Sequence, residues 1–258
     1  LLHYSIHTCS PDAEWVTFIH GAGGSSSIWF KQIREYRAHF NVLLLDLRGH
    51  GKSKNSMLPQ LKKYDFKTIG NDVVEVLDHL KIQKTHFVGI SLGTVIAREL
   101  ADRFPERTSA MILGGAVMKL NLRGQVLMRL GVLLKSVIPY LILYKFFAFI
   151  IMPKKSHEES RSLFVNEAKK LYQKEFNRWL RMAAEVNPLL KLFRINDNKT
   201  PTLYIMGSQD YMFLPSIEKL IKDHSLSSLE IIPECGHVVN VEKPHEFNQI
   251  SLAYLKSL

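Results

Sequence analysis

Apolar residues fall along this chain in two rhythms. Short unbroken runs such as Trp15-Val16-Thr17-Phe18-Ile19, Val42-Leu43-Leu44-Leu45 and Thr202-Leu203-Tyr204-Ile205-Met206 have no polar face. Runs of that length predict parallel strands buried between helices. Leu2 to His7 alternates instead and predicts an early strand, while Thr85–Val88, Ser109–Leu113 and Leu229–Ile232 complete the set. The second rhythm is helical. Ser27–Ala38, Asp65–Leu80, Leu92–Arg103, Pro215–Asp223 and Pro244–Leu255 lie between the strands. In the second of these, Phe66, Ile69, Val73, Val76, Leu77 and Leu80 recur at the spacing of one helix face.

The alternation of strand and helix stops at about Val117 and resumes near Thr202. The residues between show helical periodicity and no strong strand. Alternation on both sides of one helical block predicts a doubly wound, mostly parallel sheet carrying an inserted all-helical cap. The expected division is core 1–116, cap 117–196 and core 197–258. The insertion leaves after one strand and returns before the next, so it should lie over the strands' C-terminal ends. Within it, Val132–Met152 is almost wholly apolar but is interrupted by Lys135, Pro139 and Lys145. A membrane span needs about 20 apolar residues with few charges, so a helix pair broken near Pro139 is expected there, with no integral span.

Composition narrows the function classes. The chain has 258 residues, 46% hydrophobic and 22% charged, with a net charge of +10, as for a folded domain rather than a disordered one. The 34 basic residues are dispersed, without an aromatic-interleaved stripe or a nucleic-acid module, so a solvated basic surface is expected and nucleic acid is not. Association with a membrane surface stays open. Cys9 and Cys235 form no CxxC, which implies neither a disulfide framework nor a zinc site and suits a reducing cytoplasm. The sequence opens Leu1-Leu2-His3, so a few residues are expected upstream, and no secretory leader pattern is visible. A monomer or a homodimer fits equally.

Candidate chemistry sits where the strands end. Thr85-His86-Phe87-Val88 meets Gly89-Ile90-Ser91-Leu92-Gly93, which runs into a helix. In so tight a strand–turn–helix junction Ser91 is expected at positive φ, where Cβ atoms on either side would clash and Gly89 and Gly93 avoid them. A serine hydroxyl is a weak nucleophile and needs a base. Of 11 histidines, His237 alone follows the last strand directly, beside Gly236. His20 and His50 share the rim but read as parts of turns. Asp210 ends the penultimate strand and suits the group that orients the base. Asp46 and Asp102 are rivals, the first expected to hold the Arg48 loop and the second to lie within a helix.

The order Ser91, Asp210, His237 is the order of the α/β-hydrolases. The chain resembles that superfamily over nearly its whole length. The matching residues are His20-Gly21-Ala22-Gly23-Gly24, Asp46-Leu47-Arg48-Gly49-His50-Gly51-Lys52-Ser53, the Ser91 pentapeptide, Gly207-Ser208-Gln209-Asp210 and Gly236-His237. The resemblance implies an oxyanion hole made by the backbone N–H groups of Ala22 and Leu92. It implies no metal and no organic cofactor. Gly51-Lys52-Ser53 imitates the end of a phosphate-binding loop, but Asp46 stands where that motif needs its first glycine. Gly21-Ala22-Gly23-Gly24-Ser25-Ser26 imitates a dinucleotide loop, but Ser26 replaces the third glycine.

Apolar cap residues are expected to roof a pocket above Ser91, with Met128, Phe146, Phe147 and Trp179 as candidate substrate contacts, joined by Met212 and Phe213 beyond Asp210. The expected function is a serine hydrolase that cleaves a small to medium, largely apolar carboxylic ester through an acyl-enzyme on Ser91. C–C bond hydrolysis, lyase chemistry and cofactor-free haloperoxidase chemistry use the same scaffold. A small-ligand receptor with little turnover is the alternative of a different class.

Overall fold

The computed structural model describes residues 1–55, 63–135 and 137–258. The chain opens with β1 (Tyr4–His7) and β2 (Trp15–Ile19), then a short α1 (Ile33–Tyr36) and β3 (Asn41–Leu45). Next come α2 (Phe66–His79), β4 (Thr85–Ile90), α3 (Leu92–Arg103) and β5 (Thr108–Gly114). Five helices follow before the sheet resumes: α4 (Leu122–Leu134), α5 (Tyr140–Ile151), α6 (Glu158–Ala168), α7 (Gln173–Ala184) and α8 (Asn187–Ile195). The chain returns through β6 (Thr202–Gly207), α9 (Leu214–Leu220) and β7 (Ser227–Ile232), and closes with α10 (Val239–Glu242) and α11 (Pro244–Lys256).

The strands form a seven-stranded sheet in the order β1-β3-β2-β4-β5-β6-β7. Only the β1–β3 pairing among these is antiparallel. The unbroken apolar runs are explained by burial on both faces. Leu43 and Leu45 of β3 join Val73 of α2 and Ile96 of α3 in one core, while Val42 and Leu44 join Tyr36, Phe247 and Leu252 in the other. From β2 the chain steps to β3 on one side and then crosses back to β4 on the other. That reversal opens a crevice at the C-terminal ends of β2 and β4, where ligands bind in open α/β sheets. Ile19 pairs with Gly89 there, so the His20 loop and the Ser91 turn emerge side by side.

The helices between β5 and β6 carry a small core of their own, with Leu143, Tyr144, Phe147, Leu171, Phe176 and Leu180 buried together. Pro139 caps the start of α5. Its fixed φ and missing N–H suit a helix start and not a continuation, which splits the apolar stretch as expected. Among the described residues no helix is long and apolar enough to cross a membrane.

One helix differs from its expectation. In place of a helix over Ser27–Ala38 there is a 3-10 turn, Ser26–Trp29, and the four-residue α1. The segment is tied down by tertiary bonds. Ser26 N–H donates to Asp46 Oδ1 at 2.8 Å, and Gln32, fully buried, donates from Nε2 to Asn240 O at 2.9 Å.

Candidate active site

Ser91 caps α3 with φ 52° and ψ −123°, a strained conformation for a residue with a side chain. The packing around it explains the flanking glycines. A Cβ on Gly89 would lie 2.8 Å from Gly93 O, and one on Gly93 would run into the carbonyl of Ile19 on the neighbouring strand. The turn thus holds Ser91 above the sheet, at the floor of the crevice.

The three residues singled out for nucleophile, base and orienting acid meet there. Ser91 Oγ lies 2.9 Å from His237 Nε2, and His237 Nδ1 lies 2.7 Å from Asp210 Oδ2. A carboxylate only accepts, so Nδ1–H donates to Asp210, and Nε2 is left to accept the Ser91 hydroxyl proton. Asp210 Oδ1 accepts from Phe213 N–H at 3.2 Å. Both carboxylate oxygens are therefore engaged. His237 and Asp210 are buried. Gly115, at φ 50°, admits the His237 backbone, whose carbonyl would collide with any Cβ there. The rivals are elsewhere. Asp46 accepts from the N–H groups of Ser26 and Lys52, and these bonds outweigh burial to hold its carboxyl below the usual range. Asp102 accepts from Arg98 on α3. Burial pushes the Cys235 thiol far up, so it does not compete as a nucleophile.

The loop after β2 can be accounted for peptide by peptide. Gly21 O accepts from His20 Nδ1–H at 2.7 Å and from Gly24 N–H at 3.2 Å. In a trans peptide the N–H points opposite the C=O, so these bonds turn Ala22 N–H the other way. A Cβ on Gly21 would stand 3.1 Å from Ser91 Cβ and 3.6 Å from Leu92 N. Ala22 and Leu92 both line the cavity above Ser91, which suits them to the proposed pair of oxyanion donors. The next peptide is held at both ends. Gly23 N–H donates to His50 Nε2 at 2.8 Å, and Ala22 O accepts from Tyr144 Oη–H of α5 at 2.9 Å.

His20 and His50 thus serve as clamps, as their place in turns suggested. His20 Nε2 accepts from Leu47 N–H, and His50 Nδ1–H donates to Arg48 O. Burial holds the His20 imidazole below its ordinary value against its bond to Gly21. Burial, with His20 alongside, lowers His50 to about 3. Each needs an unprotonated nitrogen to accept. The unfolded chain takes up a proton at each imidazole as pH falls below about 6.5, while burial keeps His20 neutral below that and His50 neutral down to about 3, so stability is lost as pH falls below about 6.5. At pH 5 the loss from His50 alone should be about 2 kcal/mol. A thermal melt at pH 7 and pH 5 checks this. His50→Gln should shrink the difference, and an unchanged Tm in the wild type would contradict it.

Above Ser91 lies a cavity of about 150 Å³. Met128, Phe147, Trp179, Met212 and Phe213 line it. Phe146 does not: it is 53% exposed, because one residue along α5 from inward-facing Phe147 is a turn of about 100°. Tyr144, not among the residues expected there, also lines the cavity, at the spacing of Phe147 and Ile151. A tyrosine on an otherwise apolar helix was the available signal, since a buried hydroxyl requires a partner. Burial raises its pKa far above 10, and the hydroxyl stays protonated. The polar atoms at the wall are turned into partners, Tyr144 to Ala22 O and Trp179 Nε1–H to Arg48 O at 3.0 Å. The charged groups behind Trp179 are matched: Arg48 pairs with Asp72, and Glu175 takes bonds from Tyr64 and Arg178. The lining left to a ligand is apolar. Among the described residues no group of three His, Cys, Asp or Glu side chains is placed to hold a metal ion.

Known proteins resemble the chain in both sequence and shape. Residues 14–136 match the family model described as the alpha/beta hydrolase fold. A relative named 3-oxoadipate enol-lactonase 2, from Acinetobacter baylyi, is 28% identical over 95% of this chain and 90% of its own length. The crystal structure of an enol-lactonase from Burkholderia xenovorans superposes with a TM-score of 0.81 at 20% identity, over 99% of this chain and 96% of the other. A thermophilic esterase from Thermogutta terrifontis gives 0.81 at 19% identity, over 99% and 93%. At such identities the two structures bear on the fold alone. The chain has the α/β-hydrolase fold, and its residues 14–136 match the model of that family.

Proposed function

We propose that the chain is a hydrolase acting on ester bonds, taking a small to medium, largely apolar ester through an acyl-enzyme on Ser91. The observation that carries this reading is the unbroken hydrogen-bonded line from Ser91 through His237 to Asp210, opening into an apolar cavity. His237 takes the Ser91 proton as Oγ attacks the carbonyl carbon. The oxyanion is met by Ala22 N–H and Leu92 N–H, the second at the N-terminus of α3, where the helix dipole favours negative charge. His237, now protonated and stabilised by Asp210, gives its proton to the leaving alcohol. Water then repeats the sequence on the acyl group and frees the acid. The names borne by the relatives, an enol-lactonase and an esterase, support ester chemistry; a lactone is an internal ester.

The cavity volume sets an expectation about size. An apolar cavity of about 150 Å³ holds a molecule the size of benzene. Each methylene added to a fitting acyl chain gains up to about 0.8 kcal/mol, and the gain ends when the space is filled. Across p-nitrophenyl esters, kcat/KM is expected to rise to an acyl chain of about six carbons and then to fall. Absence of cleavage at every chain length would overturn the reading.

A further inference from the structure

The helices that wall the cavity also turn an apolar face to solvent. On α4, Leu122, Val126, Leu130 and Leu133 stand on one stripe and are exposed, opposite the inward-facing Leu127 and Met128. On α5, Ile142, Phe146 and Phe149 form the matching stripe, opposite Phe147 and Ile151. Val137, between the helices, is 81% exposed. Large contiguous apolar surface of this kind marks a place where something docks.

The charge around it says what. From Arg107 to His157 the sequence contains no Asp or Glu. Over the same stretch Lys119, Arg129, Lys145, Lys154 and Lys155 are exposed. Beside the α5 stripe, Lys145, Phe149, Arg161 and Lys169 line a shallow groove between α5 and α6. Of the three carboxylates of α6, Glu159 is engaged by Lys31 and Glu167 by Ser25 and Lys170, while Glu158 stands exposed at the start of the helix. A second copy of this chain seated by a two-fold axis would bring the same cations together with no carboxylate from α4 or α5 to answer them. An anionic lipid surface answers both features at once, taking the apolar stripes into its acyl boundary and the cations at its phosphates.

We propose that the outer face of α4 and α5 is a docking surface for anionic lipid bilayers, on which the chain lies without crossing. Apolar molecules dissolved in such a bilayer would then reach the cavity through a single layer of helix. The surface stands on its own geometry, whatever reaction Ser91 performs.

Vesicle co-sedimentation tests it. With vesicles of phosphatidylcholine containing phosphatidylglycerol, bound protein should exceed that on pure phosphatidylcholine by about ten-fold at low salt, and most should be released at roughly 0.5 M salt. The double variant Val137→Glu/Ile142→Glu should lose binding while keeping its melting temperature and its turnover of a water-soluble ester. If that variant does not fold, Ile142→Trp provides a second reading: the introduced indole should shift to shorter emission wavelength on anionic vesicles and be quenched by brominated acyl chains. Equal or absent binding to both kinds of vesicle, undiminished binding of a folded double variant, or an indole unmoved by lipid would each overturn the proposal. So would a concentration-dependent dimer that the double variant dissolves, since the face would then belong to a second copy.

Discussion

Ser91→Ala is expected to lower kcat on the best p-nitrophenyl ester by roughly 10⁴- to 10⁶-fold while leaving the fold intact. The substitution removes one atom, the oxygen that bonds to His237 Nε2 at 2.9 Å. It keeps the Cβ already tolerated at φ 52°. Residual turnover above the uncatalysed rate should persist, because the Ala22 and Leu92 N–H groups and the cavity are untouched and backbone donors survive side-chain changes. A fluorophosphonate should label the wild type once, at Ser91, and the variant not at all. Wild-type rates in Ser91→Ala would mean that another group is the nucleophile. Wild-type labelling with no turnover on any ester would instead favour a ligand receptor.

Asp210→Asn should cost nearly as much, on the order of 10⁴-fold in kcat, with little change in KM. The reason lies in the second oxygen. Asp210 accepts from Phe213 N–H through Oδ1 and from His237 Nδ1–H through Oδ2. An asparagine has one acceptor and one NH₂. If its oxygen satisfies Phe213, its NH₂ faces Nδ1, which must then accept, and the imidazole proton moves to Nε2. There it points at Ser91, and the base has no lone pair to offer. If the amide turns over instead, its NH₂ opposes Phe213 N–H and a buried donor is left unmet, which costs about 1–3 kcal/mol of stability. A large fall in kcat should therefore come with an unchanged Tm, or a smaller fall with a lowered one. Unchanged kcat and Tm together would remove Asp210 from the chemistry.

How much of this was legible in the sequence follows from how local each signal is. The Ser91 turn is local: Gly89 and Gly93 are both needed within one short segment because backbone crowds it from two sides. The strands were legible because a strand buried on both faces leaves no room for polar residues. His237 and Asp210 could be nominated because each follows a strand end, although their meeting with Ser91 depends on the whole sheet. The failures lie where the partner is distant. Ser27–Ala38 has the spacing of a helix, but Asp46 holds Ser26 just ahead of it and Asn240 claims Gln32 within it. Phe146 and Phe147 are the same residue type side by side, and only the packing of α5 on its neighbours decides which faces the cavity. Tyr144 acquires its role from Ala22, far away in sequence, and no periodicity along α5 announces that bond.

The Ala22–Gly23 peptide is gripped by His50 from the core and by Tyr144 from α5. Any motion that lifts α5 breaks the second grip and frees the loop proposed to hold the oxyanion. Closure of the helical insertion and readiness to hold an anion are thereby linked equilibria. Linkage is reciprocal: an anion held above Ser91 draws α5 down by the same factor with which a seated α5 tightens the hold on the anion. A boronic acid that mimics the tetrahedral intermediate should therefore slow amide hydrogen exchange in α5, a helix it need not touch.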